Sequence, residues 1–381
     1  MSTLFDLYGG VSLEIREEGG RADKLRKTFD HFVSTDADRD PDPDIVCELS
    51  NARPDPETVL GDPDSHYGRN GDRFVIQKPE GYGFISVDSD WEHYLSAPDI
   101  FHYIVAYLIE FEVRKRLASE GRTLIHASGF QLDGTTYLFP AWRYTGKTST
   151  GLALLQSGAN YLSDDRLWVG TDGTALGYPV PVNMMPSNIE TYPGASGATQ
   201  AERRRMKIAD FLYENVDADR SFVDKVAFLL TRHYLDPDLG RELVSLDTLM
   251  PDSRYIEQAE IDNVIMLRTW LDSPDNSVAV KVIPGRDAVT DLMGMNYYEW
   301  DRDLREYYTA YDMLFPESDG SRAEELGSLI DAEERNLTEL LDGVATYRGL
   351  VPREQDWKST GIAEDVLETF TGLSTPAELQ Q

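Results

Sequence analysis

The run Ala141-Trp142-Arg143-Tyr144-Thr145-Gly146-Lys147-Thr148-Ser149 constrains this chain more than any other stretch. Its spacing is that of a Walker A phosphate loop, and such a loop requires a strand before it and a helix after it. Both are legible. Thr135-Thr136-Tyr137-Leu138-Phe139, rich in β-branched and aromatic residues, reads as a strand, and Thr148 through Gln156 reads as a helix. In that context successive backbone N–H groups and a helix N-terminus form an anion nest. Lys147 then reaches the outer phosphates of a nucleotide and Thr148 supplies a hydroxyl for Mg²⁺. Ala141 stands where Gly usually opens the loop, and bulky Trp142, Arg143 and Tyr144 occupy its middle. For these three, a substrate-facing surface and plain packing are both open.

Past a helix stop at Ser157-Gly158, a second strand-like run, Ala159-Asn160-Tyr161-Leu162-Ser163, ends on Asp164-Asp165. Two carboxylates at a strand end beside a phosphate loop can divide labour, one holding a metal and the other taking a proton from an acceptor. The bland alternative is a turn or a helix cap, where Asp bonds nearby backbone. Upstream, Leu124 through Leu132 leads into Asp133-Gly134, a two-residue hairpin signal, and so back into the strand that feeds the loop. This order carries His126 to the phosphate site as an acid/base helper or phosphate contact; the competing reading is a satisfied core histidine.

Together these features resemble the HPr kinase/phosphorylase family and its HPr-kinase-like relatives, which share a phosphate-loop fold with ATP-dependent phosphoenolpyruvate carboxykinases. His126 lies 21 residues before Lys147 and Asp164 lies 17 after it, similar to the family's order of His-bearing strand, hairpin, loop, helix and Asp-Asp pair. The likeness continues through Arg166-Leu167-Trp168-Val169, the Asp172-Gly173 turn, Gly177-Tyr178-Pro179 and Asn183-Met184-Met185-Pro186, and is specific from 121 to 190. It implies an α/β P-loop kinase core of the HPr kinase/PEP carboxykinase-like type that transfers the γ-phosphate of ATP, with Mg²⁺, to a hydroxyl. It also implies that residues 141–149 bind the nucleotide, that Asp164 is the catalytic base beside Lys147 and His126, and that Thr148 and Asp165 hold the metal. The Gly-rich signature with which HPr kinases recognise their protein substrate is not found, so the acceptor stays open between a protein Ser and a small molecule. Two alternatives are a nucleotide-binding regulatory protein of the same fold without turnover, and a PEP carboxykinase-like enzyme. The second is disfavoured by the short chain and the lack of a second set of metal-binding residues.

The 381-residue chain sets 68 Asp and Glu against 36 Lys and Arg, a formal charge of −32 spread along its length, and nine of the basic residues are Lys. At low salt such a charge opposes folding, whereas molar salt shortens its range to a few ångström. The composition is that expected in a halophilic, archaeal cytoplasm. It argues against nucleic acid as a partner, because phosphate backbones need a basic footprint. The densest positive patch, Arg203-Arg204-Arg205 with Lys207, could meet an anionic substrate or form a solvated helix face. A single cysteine, Cys47, excludes an intrachain disulfide and a Cys-based zinc cluster. Met1 through Asp6 shows neither the basic region nor the apolar run of a signal peptide, and the apolar stretch Tyr103 to Phe111 is broken by Glu110 and too short to span a bilayer. A soluble, cytoplasmic protein with no membrane partner is expected, its homo-oligomerisation open.

Residues 1–95 carry short β-type runs between Gly, Pro and Asp clusters (Val11–Ile15, Ile45–Leu49, Phe74–Gln77, Phe84–Val87), which predicts a small, mostly antiparallel module. The acidic stretch Asp36–Asp44 fails as a calcium loop, with Pro41 where Gly is needed and Cys47 where a bidentate Glu is needed. A connecting helix over 96–120 is predicted from Ile100, Ile104, Tyr107, Leu108 and Phe111, and the core is expected to occupy 121–375, with a further helix over Arg322–Leu341.

Overall fold

The computed structural model describes residues 2–8, 10–17, 23–34, 42–62, 65–77, 83–97, 102–143, 145–179, 182–184, 242–244, 253–353, 357 and 360–373, with single helical positions at 188, 201, 204 and 208. They form a mixed α/β structure with several sheets. The chain divides into two compact units, the first made of Met1–Leu124, Val169–Asp172 and Val289–Leu340, the second of Ile125–Trp168, Gly173–Ala288 and Leu341–Gln381. In this division the helix over 102–119 and residues 289–340 belong with the N-terminal strands.

In the first unit, β1 (Ser2–Leu7), β2 (Val11–Glu17), β3 (Ile45–Leu49), β4 (Thr58–Asp62), β5 (Ser65–Asn70), β6 (Arg73–Gln77), β7 (Phe84–Val87) and β8 (His93–Ser96) build one sheet, ordered β1-β2-β3-β8-β7-β6-β5-β4. The hairpin-linked neighbours are antiparallel, as predicted, but β3 runs parallel to both β2 and β8. Alternation of side chains along a strand says which face is buried, not which way the neighbour runs. Beyond the short helix α1 (Asp23–Phe29), helix α2 (His102–Ser119) buries Ile104, Leu108 and Phe111, the apolar stripe read from the sequence. It also carries Arg114 into the interior. There Arg114 Nε and Nη2 donate to Glu333 at 3.0 and 2.7 Å, and Nη1 donates to Asp301 at 2.8 Å. All three side chains are almost wholly buried. A second buried guanidinium, Arg322, lies 4.4 Å from the Trp91 ring centre, 5.0 Å from Phe111 and 5.1 Å from Tyr308.

The second unit holds the loop. After β9 (Arg122–Ile125), the hairpin β10 (Ala127–Leu132) to β11 (Thr135–Pro140) pairs antiparallel through Leu132 and Thr135. Asp133 at φ 51° and Gly134 at φ 84° supply the two left-handed residues that such a tight turn needs. Helix α3 (Lys147–Gln156) and β12 (Asn160–Ser163) follow within a residue of prediction. β12 pairs with β10, and β11 runs parallel to the strand Asn263–Trp270, which is parallel in turn to Ala345–Pro352, with Ala279–Val282 at the far edge. Phe130, Phe139, Leu152, Leu155, Tyr161, Ile265 and Phe370 are buried together between this sheet and the helices α3 and Ile362–Thr371. Among the described residues no helix is long and apolar enough to cross a membrane.

Candidate functional site

The predicted loop lies where β11 ends and α3 begins, wholly within the second unit. Ala141, in place of the usual Gly, is fully buried and extends β11 by a parallel bridge to Leu267, a strand conformation that any small residue adopts. Gly is needed five residues later. Gly146 sits at φ 86°, ψ 12°, in the left-handed region, as the cap of α3, and it brings no side chain to that helix end. The first-turn N–H groups of a helix have no intrahelical acceptor, so this end carries the partial positive charge that suits an anion. Thr145 braces the turn, its hydroxyl donating to the carbonyl of Trp142 at 2.5 Å. Trp142 is 39% exposed and Arg143 is exposed, so neither is core packing. Tyr144 lies outside the described residues.

Two contacts organise the acids. Thr148 Oγ1 donates to Asp164 Oδ2 at 3.2 Å, and Lys147 Nζ donates to Asp165 Oδ1 at 3.2 Å and to the Asp165 carbonyl at 3.3 Å. The resemblance implies Thr148 and Asp165 as metal ligands; in the structure the loop hydroxyl is hydrogen-bonded to Asp164. His126, at a bend between β9 and β10 and not within a strand, brings Nε2 to 2.8 Å from Lys147 Nζ and 3.2 Å from Asp165 Oδ1. One ring nitrogen cannot accept from Lys147 and donate to Asp165 at the same time, so the two contacts exclude each other in any one protonation state.

Asp165 is half exposed, with a side-chain exposure of 51%, whereas Asp164 is buried. The desolvation of Asp165 by its surroundings pushes its pKa up. The Lys147 charge, the His126 hydrogen bond and Arg166 outweigh that push and hold the carboxyl well below the usual carboxylate range. Arg166 Nε lies 3.7 Å from Asp165 Oδ2, and its guanidinium stacks 5.1 Å from the Tyr178 ring centre. Ser163 fixes the corner, its hydroxyl donating to the Arg166 carbonyl at 2.5 Å and accepting from the Asp165 N–H at 3.4 Å.

Three contributors had no clear sequence signal. Arg166 directly follows the acids, but nothing in the sequence aims it back at them. Asn188 donates from Nδ2 to Ser149 Oγ at 3.2 Å, and Trp357 packs against Gly146 from more than 200 residues away. Such partners come together only by folding. In the basic patch, Arg204 is exposed, while Arg203, Arg205 and Lys207 lie outside the described residues.

Among the described residues no group of three or more His, Cys, Asp or Glu forms a ready cage for a metal. Magnesium asks for less, because it keeps several waters and takes one or two protein oxygens together with substrate phosphates. The Thr148 hydroxyl and the Asp164 carboxylate, hard oxygen donors in mutual contact, fit that demand. No family model matches the chain, and no curated protein matches it either.

Proposed function

We propose that the second unit is an ATP-dependent phosphotransferase that moves the γ-phosphate to a hydroxyl of a protein or small-molecule acceptor. The observation that carries this reading is the convergence of Lys147, Thr148, His126, Asp164 and Asp165 at the mouth of a glycine-capped helix. A turn used only for packing needs neither the lysine nor the paired acids.

In this reading the α3 amides and Lys147 bind the phosphates, and Lys147 exchanges its contacts with His126 and Asp165 for phosphate oxygens. Thr148 and Asp164 hold Mg²⁺, which when bound neutralises charge on the β- and γ-phosphates. Asp165 orients the acceptor hydroxyl and takes its proton. A carboxylate held so acidic is a weak base, but it is ionised at neutral pH. Phosphoryl transfer through a loose transition state asks mainly for positioning, with the proton leaving late. Once Lys147 has turned to the phosphates, His126 Nε2–H is able to donate to Asp165 and fix its orientation. With exposed Trp142 and Arg143 beside this mouth, the acceptor approaches over the loop tip.

The test is transfer of labelled γ-phosphate in molar KCl to components of the source-cell extract, together with calorimetric ATP titration. Lys147→Ala should abolish transfer and weaken ATP binding by about 1.5–3 kcal/mol, the worth of a hydrogen bond to a charged group. An unchanged affinity would reduce the loop to a coincidence of spacing. ATP binding by the wild type with no transfer would instead favour a regulatory protein without turnover.

A further inference from the structure

Gly146 is the pivot of the phosphate loop, and the side of its backbone where a Cβ would stand is not open. A Cβ built there would lie 2.7 Å from Trp357 Cζ2, 3.0 Å from Trp357 Cη2 and 3.5 Å from Val351 Cγ2. Trp357 is itself 2% exposed and sits in the core shared with Tyr347, Val351, Ile362 and Phe370. It lies between the strand Ala345–Pro352 and the helix Ile362–Thr371, its carbonyl accepting from the Ala363 N–H at 3.3 Å. An indole wedged between a packed core and a left-handed glycine has little freedom to move, and neither has the glycine.

We propose that Trp357 is a positioning residue for nucleotide binding. The benzo edge of its indole props the phosphate loop at Gly146 and makes phosphate affinity depend on a side chain far along the chain. This rests on the reading of residues 141–149 as the phosphate site. It accounts for the glycine at 146 twice over, since the position demands both a positive φ and the absence of a side chain. It also gives a buried tryptophan far away in sequence a task at the site. Preorganised amides bind an anion more tightly than amides that must first be gathered, so loosening the prop lowers affinity without removing any group that touches the ligand.

Trp357→Phe removes the ring atoms that meet Gly146 while keeping an aromatic ring in the core. Calorimetric titration with MgATP should show binding weakened about fivefold to twentyfold, with the melting temperature lowered by only a few degrees. Gly146→Ala in the otherwise native chain should weaken binding far more. In the Trp357→Phe background the same change should cost fewer fold, because the new methyl no longer meets the indole. In the unmutated protein labelled with fluorotryptophan, the ¹⁹F signal of Trp357 should shift when MgATP binds, which keeps the test valid even if a variant fails to fold. Additive losses in the two variants, wild-type affinity in Trp357→Phe, or an unmoved Trp357 signal at saturating MgATP would each overturn the proposal. A wild-type protein that binds no MgATP would overturn the phosphate-site reading and this inference together.

Discussion

The hydroxyl of Thr148 donates to Oδ2 of Asp164 at 3.2 Å, so the loop threonine is bonded to the first acid of the pair, while the lysine beside it, Lys147, is bonded to the second. Successive residues of a helix start diverge by about 100°, enough for neighbours to engage neighbours. In the proposed reading these contacts give the two acids different jobs.

Asp164→Asn should therefore weaken the Mg²⁺ dependence of ATP binding. Asp165→Asn should leave MgATP affinity near that of the wild type and lower single-turnover transfer by about 10²- to 10⁴-fold. A metal ligand acts already in the nucleotide complex, whereas a base acts only as the acceptor attacks. Titrating Mg²⁺ against both variants decides this. The reverse pattern would restore the roles implied by the family resemblance, and identical defects would remove the division altogether.

Arg114 bonds both Asp301 and Glu333, and all three side chains are buried. Burial pushes both carboxyl pKa values up and the Arg114 charge pulls against it, with the net direction upward. Arg114→Met leaves that push unopposed at Glu333 and countered at Asp301 only by the smaller pull of Arg305, so thermal or denaturant unfolding should show a loss of about 3–5 kcal/mol. Adding Asp301→Asn and Glu333→Gln to the same chain should recover much of the loss. A single variant as stable as wild type would mean that the cluster is hydrated.

Burial, with the nearby Glu48 adding to it, pushes the Cys47 thiol up to about 12. The unfolded thiol ionises near 9.0, so between these two values the unfolded state has lost a proton that the native state keeps. The Cys47 contribution to stability is thus whole below pH 9 and declines as pH rises from there towards 12. Ellman's reagent at pH 8 should find no reactive thiol in the native protein and one per chain in denaturant; fast labelling of native protein would contradict the burial.

A formal charge of −32 with 68 acidic against 36 basic residues makes self-repulsion the main electrostatic term at low salt. Melting temperature should rise strongly between 0.1 M and 2 M KCl as screening shortens the range of that repulsion. Equal melting temperatures at the two concentrations would remove the case for adaptation to salt.

The local elements of the second unit were legible because each is written in a few adjacent residues. Asp133-Gly134 demands a tight turn whatever surrounds it. The run from Thr135 to Phe139 can only pack as a strand, and Gly146-Lys147-Thr148 opens a helix at a left-handed glycine. The eight-stranded sheet was legible only in pieces. β4, mostly exposed, shows no apolar alternation, and nothing in Ile45–Leu49 tells that it lies between two parallel neighbours. Nor does chain order show that residues 289–340 cluster with the first unit. For the site, the sequence by itself determined the inventory, namely a loop, a histidine and two acids at fixed separations along the chain. Only the tertiary structure decided the pairing. Whether Thr148 meets Asp164 or Asp165, and whether an indole 211 positions beyond Gly146 stands behind it, depends on how β10, β11 and β12 are laid side by side and on what packs behind them. Contacts across such distances are set by the burial of a whole core and not by any local preference of the residues that make them.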